Sequence, residues 1–414
     1  MTEPAEVQKT QEDKLREVAE TLVGSDKKVQ LIYAFNGVGK TRLSRAVKDL
    51  VAPKAEDGEE EEPTRRKILY YSAFTEDLFV WDNDKEHDEE RKINIQRNSF
   101  TDWVLRDRGQ DQNIASNFQR YTSRSITPTF PPSSRIDFSG NSAKTVVTFP
   151  EIRFSYSGGN ELKNNIKISK GEESNLIWSV FYTLLEEVVE LLKEPDPKKR
   201  DDDEYDDLKY VFIDDPVSSL DDSHLIELAV DLAGLIKSTE ADLKFVITTH
   251  NPLFYNVLFN EFKNALDKEK DGTVERIYRP REASFHRMSK KADGSFALDV
   301  QGNDSPFSYH LLLLTELKKA VDADSVQKYH FNYLRNILEK TATFLGHKKW
   351  GDLLPKIDGN PDPFAARIVN LSSHSAHSGE EVAELEGNDQ EKLGELVTYL
   401  FSHYQFLEPK EQNA

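Results

Sequence analysis

A run of apolar residues that ends in glycines, a lysine and a threonine leaves a chain few folds to choose from. Here it is Leu31-Ile32-Tyr33-Ala34-Phe35-Asn36-Gly37-Val38-Gly39-Lys40-Thr41, which reads as a strand, a tight turn and the start of a helix. In such a turn Asn36, Gly37 and Gly39 let backbone N–H groups close around a β-phosphate, and Lys40 neutralises the β/γ oxygens. Thr41 offers its hydroxyl to Mg²⁺, and the helix behind it directs the positive end of its dipole at the anion. Ala34 stands where the pattern GxxxxGK[ST] has its first glycine. That position mainly sets the turn, so a phosphate cradle survives the change. The fold expected around it is α/β.

Three later segments bear on the same chemistry. Ile168-Ser169-Lys170-Gly171-Glu172-Glu173-Ser174 precedes a long apolar helical stretch, and reads either as a second anion-binding helix start or as an ordinary N-cap. Tyr210-Val211-Phe212-Ile213-Asp214-Asp215-Pro216 is a buried-type strand ending in two carboxylates. Asp214 is placed to hold Mg²⁺ and Asp215 to polarise a water. Ser218-Ser219-Leu220-Asp221 follows, and the apolar run Phe245-Val246-Ile247-Thr248-Thr249 ends at His250-Asn251-Pro252.

Phosphate loop, SxGE segment, two-carboxylate strand with SSLD, and strand-end histidine, in that order, resemble the ABC-type ATPase head. The resemblance implies two heads that sandwich two nucleotides, hence at least a homodimer. Each site then joins Lys40, Thr41, Asp214, Asp215 and His250 of one subunit to Ser169 and Gly171 of the other, with Asp221 of the SSLD segment among the nucleotide-binding residues. Asp215 stands where most such heads carry Glu. A shorter carboxylate reaches the attacking water less well, so slow turnover is expected; equal turnover in an Asp215→Glu variant would remove that explanation. Gln96, Gln110 and Gln112 are uncommitted candidates for the glutamine that senses Mg²⁺ in these ATPases. Sustained heptads are lacking between Thr41 and Ser169, which argues against the long arms of SMC-like ATPases, and the absence of cysteine excludes a zinc hook.

A formal net charge of −20 argues against a protein that coats nucleic acid through bulk electrostatics, while leaving room for a local basic site. Two acidic runs, residues 56–62 and 201–207, read as solvated loops. No apolar run approaches membrane-spanning length, the first residues are charged and polar, and disulfides are excluded, so a cytoplasmic location away from membranes is expected.

The chain changes character at about residue 308, which divides it into an expected ATPase domain, residues 1–307, and a helical domain, residues 308–414. Within a helix expected over residues 326–345, Arg335 and Glu339 are four apart and share a face. The bland reading is an i,i+4 salt bridge. A later helix ends in Asn370-Leu371-Ser372-Ser373-His374-Ser375, where packing explains a histidine poorly. Arg, Glu and His together suffice to cleave RNA without a metal: a carboxylate takes the 2′-OH proton, an imidazolium protonates the departing 5′-oxygen, and a guanidinium holds the charged phosphorane.

With these residues, the stretch Tyr33 to Ser44, the Phe212 to Asp221 block and Leu334-Arg335-Asn336-Ile337-Leu338-Glu339, the sequence resembles the PrrC-type anticodon nucleases. In that family an ABC head is joined to a helical nuclease domain with an Arg-xxx-Glu…His triad. Carried over, the triad is Arg335, Glu339 and His374, with His377, one helical turn away, as the rival for the last role. The resemblance implies cleavage of a tRNA in its anticodon loop, commonly the lysine tRNA, as antiviral defence. It also implies a nucleotide switch taking ATP, GTP or dTTP with Mg²⁺, and a silencing partner in a DNA restriction-modification complex. Lys348, Lys349 and Trp350 are candidates to grip phosphate and stack a base, or simply an exposed helix end. The competing expectation is an ATPase sensor or scaffold whose C-terminal helices dock a separate effector; a DNA-repair ATPase fits the acidic charge and missing arms less well.

Overall fold

The computed structural model describes residues 11–53, 67–72, 75, 77–83, 89–137, 144–158, 161–216, 222–270, 273–291, 294–302, 309–357, 359–363, 365 and 387–406. The chain divides into two compact units, Met1–Asp304 and Ser305–Ala414.

In the first unit, strands run in chain order as β1 (Val29–Tyr33), β2 (Ile68–Tyr71), β3 (Phe79–Asp82), β4 (Lys92–Ile95), β5 (Ile126–Thr129), β6 (Ser133–Asp137), β7 (Lys144–Thr148), β8 (Glu151–Gly158), β9 (Glu161–Lys163), β10 (Tyr210–Asp214), β11 (Lys244–Thr249), β12 (Leu266–Lys270), β13 (Thr273–Tyr278), β14 (Ala283–Lys290) and β15 (Phe296–Val300). Six of them form the central sheet in the order β15-β14-β1-β11-β10-β2. All its pairings are parallel except β14 with β15.

β1 and β10 are buried along their whole length, and β11 from Phe245 to Thr249, because they are largely apolar on both faces, as a parallel sheet covered by helices requires. Alternate residues serve opposite layers. Leu31, Val211, Ile213, Phe245 and Ile247 enter one core with Trp178, Leu228 and Phe254. Ile32, Phe212 and Val246 enter the other, with Leu15 and Leu22 of helix Gln11–Val23 and Leu43 and Val47 of helix Lys40–Val51. Tyr33 pairs with Thr249, and Asp214 with Thr248. The phosphate loop, the two carboxylates and His250 therefore leave the sheet along one edge, the C-terminal ends of the strands, where ligands of open α/β sheets bind.

Residues 74–130, nearly illegible in the sequence, contribute to a second, antiparallel sheet of order β3-β4-β8-β5, with β9 on β8. They also hold a π-helical turn, Asp102–Asp107, and the helix Asp111–Tyr121. The acidic run 201–207 does more than meet solvent: Asp202 accepts from Trp103 Nε1 at 2.9 Å, Asp206 pairs with Arg200 at 2.6 Å, and Tyr205 is buried with its ring 4.8 Å from that of Trp103.

The second unit is mainly helical, with one short antiparallel pair, Lys356–Ile357 with Asn360–Pro361. Tyr309–Asp322, Lys328–Phe344 and Gly387–His403 pack through Leu313, Leu317, Leu334, Leu338, Leu393 and Leu400. A Cβ at Gly394 would lie 3.3 Å from Val321 Cγ1, a tight contact between the first and last of these helices. Among the described residues, no helix is long and apolar enough to cross a membrane.

Candidate functional site

Gly37 and Gly39 carry φ values of 81° and 114°, a region open to glycine at little cost. Gly39 is the N-cap of helix Lys40–Val51, and its carbonyl receives the Leu43 N–H at 2.9 Å. The turn folds Lys40 back over itself, so that Nζ donates to Asn36 Oδ1 at 3.0 Å and to Ala34 O at 3.2 Å and lies 3.4 Å from Asp215 Oδ2. A buried ammonium is thus held at the loop by three oxygen acceptors.

Thr41 Oγ1 donates to Asp214 Oδ2 at 2.9 Å, and Thr248 Oγ1 donates to Asp214 Oδ1 at 2.6 Å. Two oxygens on adjacent vertices of an octahedron with Mg–O of about 2.1 Å lie about 3.0 Å apart. The Thr41 and Asp214 oxygens already have that spacing, so the donor set fits Mg²⁺. Burial raises the Asp214 carboxyl pKa, against the lowering hydrogen bonds from Thr248 and Thr41, and neighbouring Asp215 adds to the rise. A divalent cation would favour the ionised form.

Asp215 has φ 54°, in the left-handed region that Asp tolerates better than most residues. The bend sets its carboxylate across from β11, where Oδ1 accepts from Thr249 Oγ1 at 3.2 Å and from the His250 N–H at 3.3 Å, and Oδ2 hydrogen-bonds His250 Nδ1. Burial pushes this carboxyl upward, but the hydrogen bond from His250 and the charge of Lys40 outweigh it and hold the pKa low. Adjacent carboxylates therefore sit in opposite environments. The sequence pointed to both of them and to His250, but not to Thr248 and Thr249, which orient them; two β-branched residues before a histidine read only as strand formers, and the Asp214–Thr248 register is set by sheet pairing.

Ser169 is the N-cap of helix Lys170–Leu191 in a complete capping box: Ser169 Oγ accepts from Glu172 N–H at 3.2 Å, and Glu172 Oε2 accepts from Ser169 N–H at 2.6 Å. Gly171 lies in the first turn, and Glu173 anchors it by accepting from Trp81 Nε1 at 2.7 Å. Asp221 lies outside the described residues, as do His374 and His377.

In the second unit, Arg335 Nε donates to Glu339 Oε1 at 2.9 Å on helix Lys328–Phe344, with 31% of the arginine and 44% of the glutamate side chain exposed. Their partner face is apolar: Leu334, Ile337 and Leu338 are buried beneath them. Arg335 is half-buried and Glu339 exposed. A protein of Escherichia coli named anticodon nuclease is 48% identical to this chain over 399 residues, covering 94% of this chain and 92% of its own. The chain belongs to the anticodon nuclease family. A family model described as an AAA domain also matches residues 153–402. Among solved structures, an SmcHead bound to the C-winged helix domain of ScpA is similar at 11% identity and a TM-score of 0.30, covering 67% of this chain and 90% of that one. The SMC head domain from Thermotoga maritima is similar at 16% identity and a TM-score of 0.26, covering 67% and 92%.

This anticodon nuclease family member thus carries an α/β P-loop ATPase head followed by helices. Trp350 does not stand free beside Lys348 and Lys349; it packs partly buried against the helical core. His330 is also structural, since it is buried, its Nδ1 accepts from Gln327 N–H at 2.8 Å, and burial lowers its pKa.

Proposed function

We propose that the chain is a nucleotide-switched ribonuclease that cuts tRNA in the anticodon loop, with no metal at the cutting site, and that it serves in antiviral defence. The observation that carries this reading is the 48% identity, across 94% of the chain, with the E. coli protein named anticodon nuclease. The Arg335–Glu339 pair, with Glu339 exposed on a well-packed helix, supports it.

In this reading Glu339 removes the proton of the 2′-OH, whose oxygen attacks the neighbouring phosphorus. The P–O5′ bond breaks, His374 gives its proton to the departing 5′-oxygen, and Arg335 stays on the charged phosphorane. The products end in a 2′,3′-cyclic phosphate and a 5′-OH. His377 is the alternative proton donor.

In the ATPase head, Lys40 and the loop N–H groups bind the nucleotide phosphates, and Thr41 and Asp214 hold Mg²⁺, which supplies charge neutralisation when bound. Asp215 and His250 orient water. ATP, GTP and dTTP are the nucleotides considered, and two heads pair across them, with Ser169, Gly171 and Asp221 completing each other's sites. The lysine tRNA is the substrate favoured by the family resemblance, and a DNA restriction-modification complex is the silencing partner it suggests. The expected domains are residues 1–307 for the ATPase and 308–414 for the nuclease.

A second reading is favoured by one specific observation. Arg335 Nε already donates to Glu339 Oε1, as in an ordinary helix-surface pair. The chain would then be an ATPase sensor that docks a separate effector. Incubation of the purified protein with bulk tRNA in EDTA, without nucleotide or with ATP or GTP, separates the two. Discrete anticodon-loop cuts with cyclic phosphate ends are expected; tRNA left intact in every condition, beside measurable nucleotide hydrolysis in Mg²⁺, would sink the nuclease and leave the sensor.

A further inference from the structure

The helix that carries Arg335 and Glu339 also exposes aromatic surface that its own fold does not use. Phe344 is 87% and Tyr329 51% exposed, whereas Phe331 and Leu334 on the same helix are buried. At 100° per residue, Tyr329, Tyr333, Asn336, Lys340 and Phe344 fall along one stripe on the side away from the core, with Glu339 at its flank. Tyr333 packs partly against the helical core, and its ring braces that of Tyr329, with centroids 5.3 Å apart in an edge-to-face arrangement. Glu339 lies about 15 Å along the axis from Tyr329 and about 7.5 Å from Phe344.

Charge identifies what such a stripe accepts. The protein as a whole carries −20, yet residues 340–349 hold three lysines, Lys340, Lys348 and Lys349, and no acid. All three lysines are exposed. Cations interleaved with exposed aromatic rings suit single-stranded nucleic acid, whose bases offer π-faces and whose backbone is anionic. An apolar protein partner would not select for the lysines.

We propose that this stripe is the track on which the single-stranded loop of the RNA lies, its bases stacked on Phe344 and Tyr329 and its phosphates on Lys340, Lys348 and Lys349. The assignment rests on the nuclease reading above and adds to it how the loop, as opposed to the stem, is recognised. A duplex hides its bases, so the rings have nothing to stack on and the track discriminates against it.

The test is fluorescence anisotropy of a labelled anticodon stem-loop, its loop 2′-O-methylated to prevent cutting, against the same stem as a blunt duplex. The full-length wild type is compared with Phe344→Ala, Tyr329→Ala and Phe344→Tyr, and each is also assayed for tRNA cleavage. Phe344→Ala is expected to weaken stem-loop binding by about 5- to 150-fold, the span that stacking of one base supports. Phe344→Tyr should bind as wild type, duplex binding should stay weak and unchanged, and the thermal midpoint should not move. Equal stem-loop affinity in all proteins that cut tRNA would overturn the track and leave the nuclease standing. So would sedimentation showing that Phe344→Ala alters only the number of subunits, which would make the stripe a contact between copies. A wild type that neither binds the loop nor cuts tRNA would sink both.

Discussion

Glu339→Gln is expected to lower the rate of RNA cleavage by about 10²- to 10⁴-fold, the contribution typical of a positioned general base, while leaving the protein folded. The amide preserves the shape of the side chain and an oxygen for Arg335 Nε, now 2.9 Å from Oε1, but it cannot take a proton. Stability should hardly change, because an exposed i,i+4 pair is worth only about 0.3–0.5 kcal/mol. Arg335→Lys makes the complementary case: it keeps the charge and loses the planar fork, so a phosphorane contact that needs two donors suffers although the ion pair can re-form. Single-turnover cleavage with the thermal midpoint measured alongside separates the two roles. If Glu339→Gln cuts as fast as wild type, the pair is a surface salt bridge and the general base lies elsewhere on the chain. A small loss of stability with no loss of rate would say the same.

How far the chain could be read from its residues differs sharply between its parts, for physical reasons. The phosphate loop and the strands before Asp214 and His250 were legible because local chemistry dictates them: glycine at positive φ, an ammonium in a tight turn, and apolar runs with carboxylates at their ends. That Ser169 would cap its helix was also local, and the capping box with Glu172 is the form it took. Residues 74–130 were opaque since their strands are short and mixed, gaining their sense only from long-range pairing such as Ile93 with Ile152. Nor does composition separate Trp350 from Phe344. Both are aromatic residues beside lysines, and only tertiary packing decides that Trp350 turns to the core while Phe344 stays in water. His374, the third member of the expected triad, lies outside the described residues, so its role stands on the sequence.

Lys40→Ala is expected to remove nucleotide hydrolysis by about 10²- to 10³-fold or more, as loss of one preorganised donor does at a site where negative charge accumulates. The ammonium is 7% exposed and held by Asn36, Ala34 and Asp215, so it is already in place before the nucleotide arrives and costs little to reorganise. Alanine leaves Asp215 with His250 and Thr249, which keeps the carboxylate paired and the loop able to fold. Asp214→Asn is informative beside it. The amide still accepts a hydrogen bond from Thr248 or Thr41, but it lacks the charge that suits Mg²⁺, so nucleotide should bind in the variant and not be turned over. The sharper consequence concerns RNA. Lys40 belongs to the first unit and Glu339 to the second, so Lys40→Ala should disturb the nucleotide response of cleavage or the assembly of heads before it disturbs the cutting chemistry. The measurement is tRNA cleavage with and without ATP or GTP, alongside subunit number by sedimentation. Cleavage by Lys40→Ala that still responds to nucleotide as the wild type does would separate the switch from the phosphate loop altogether.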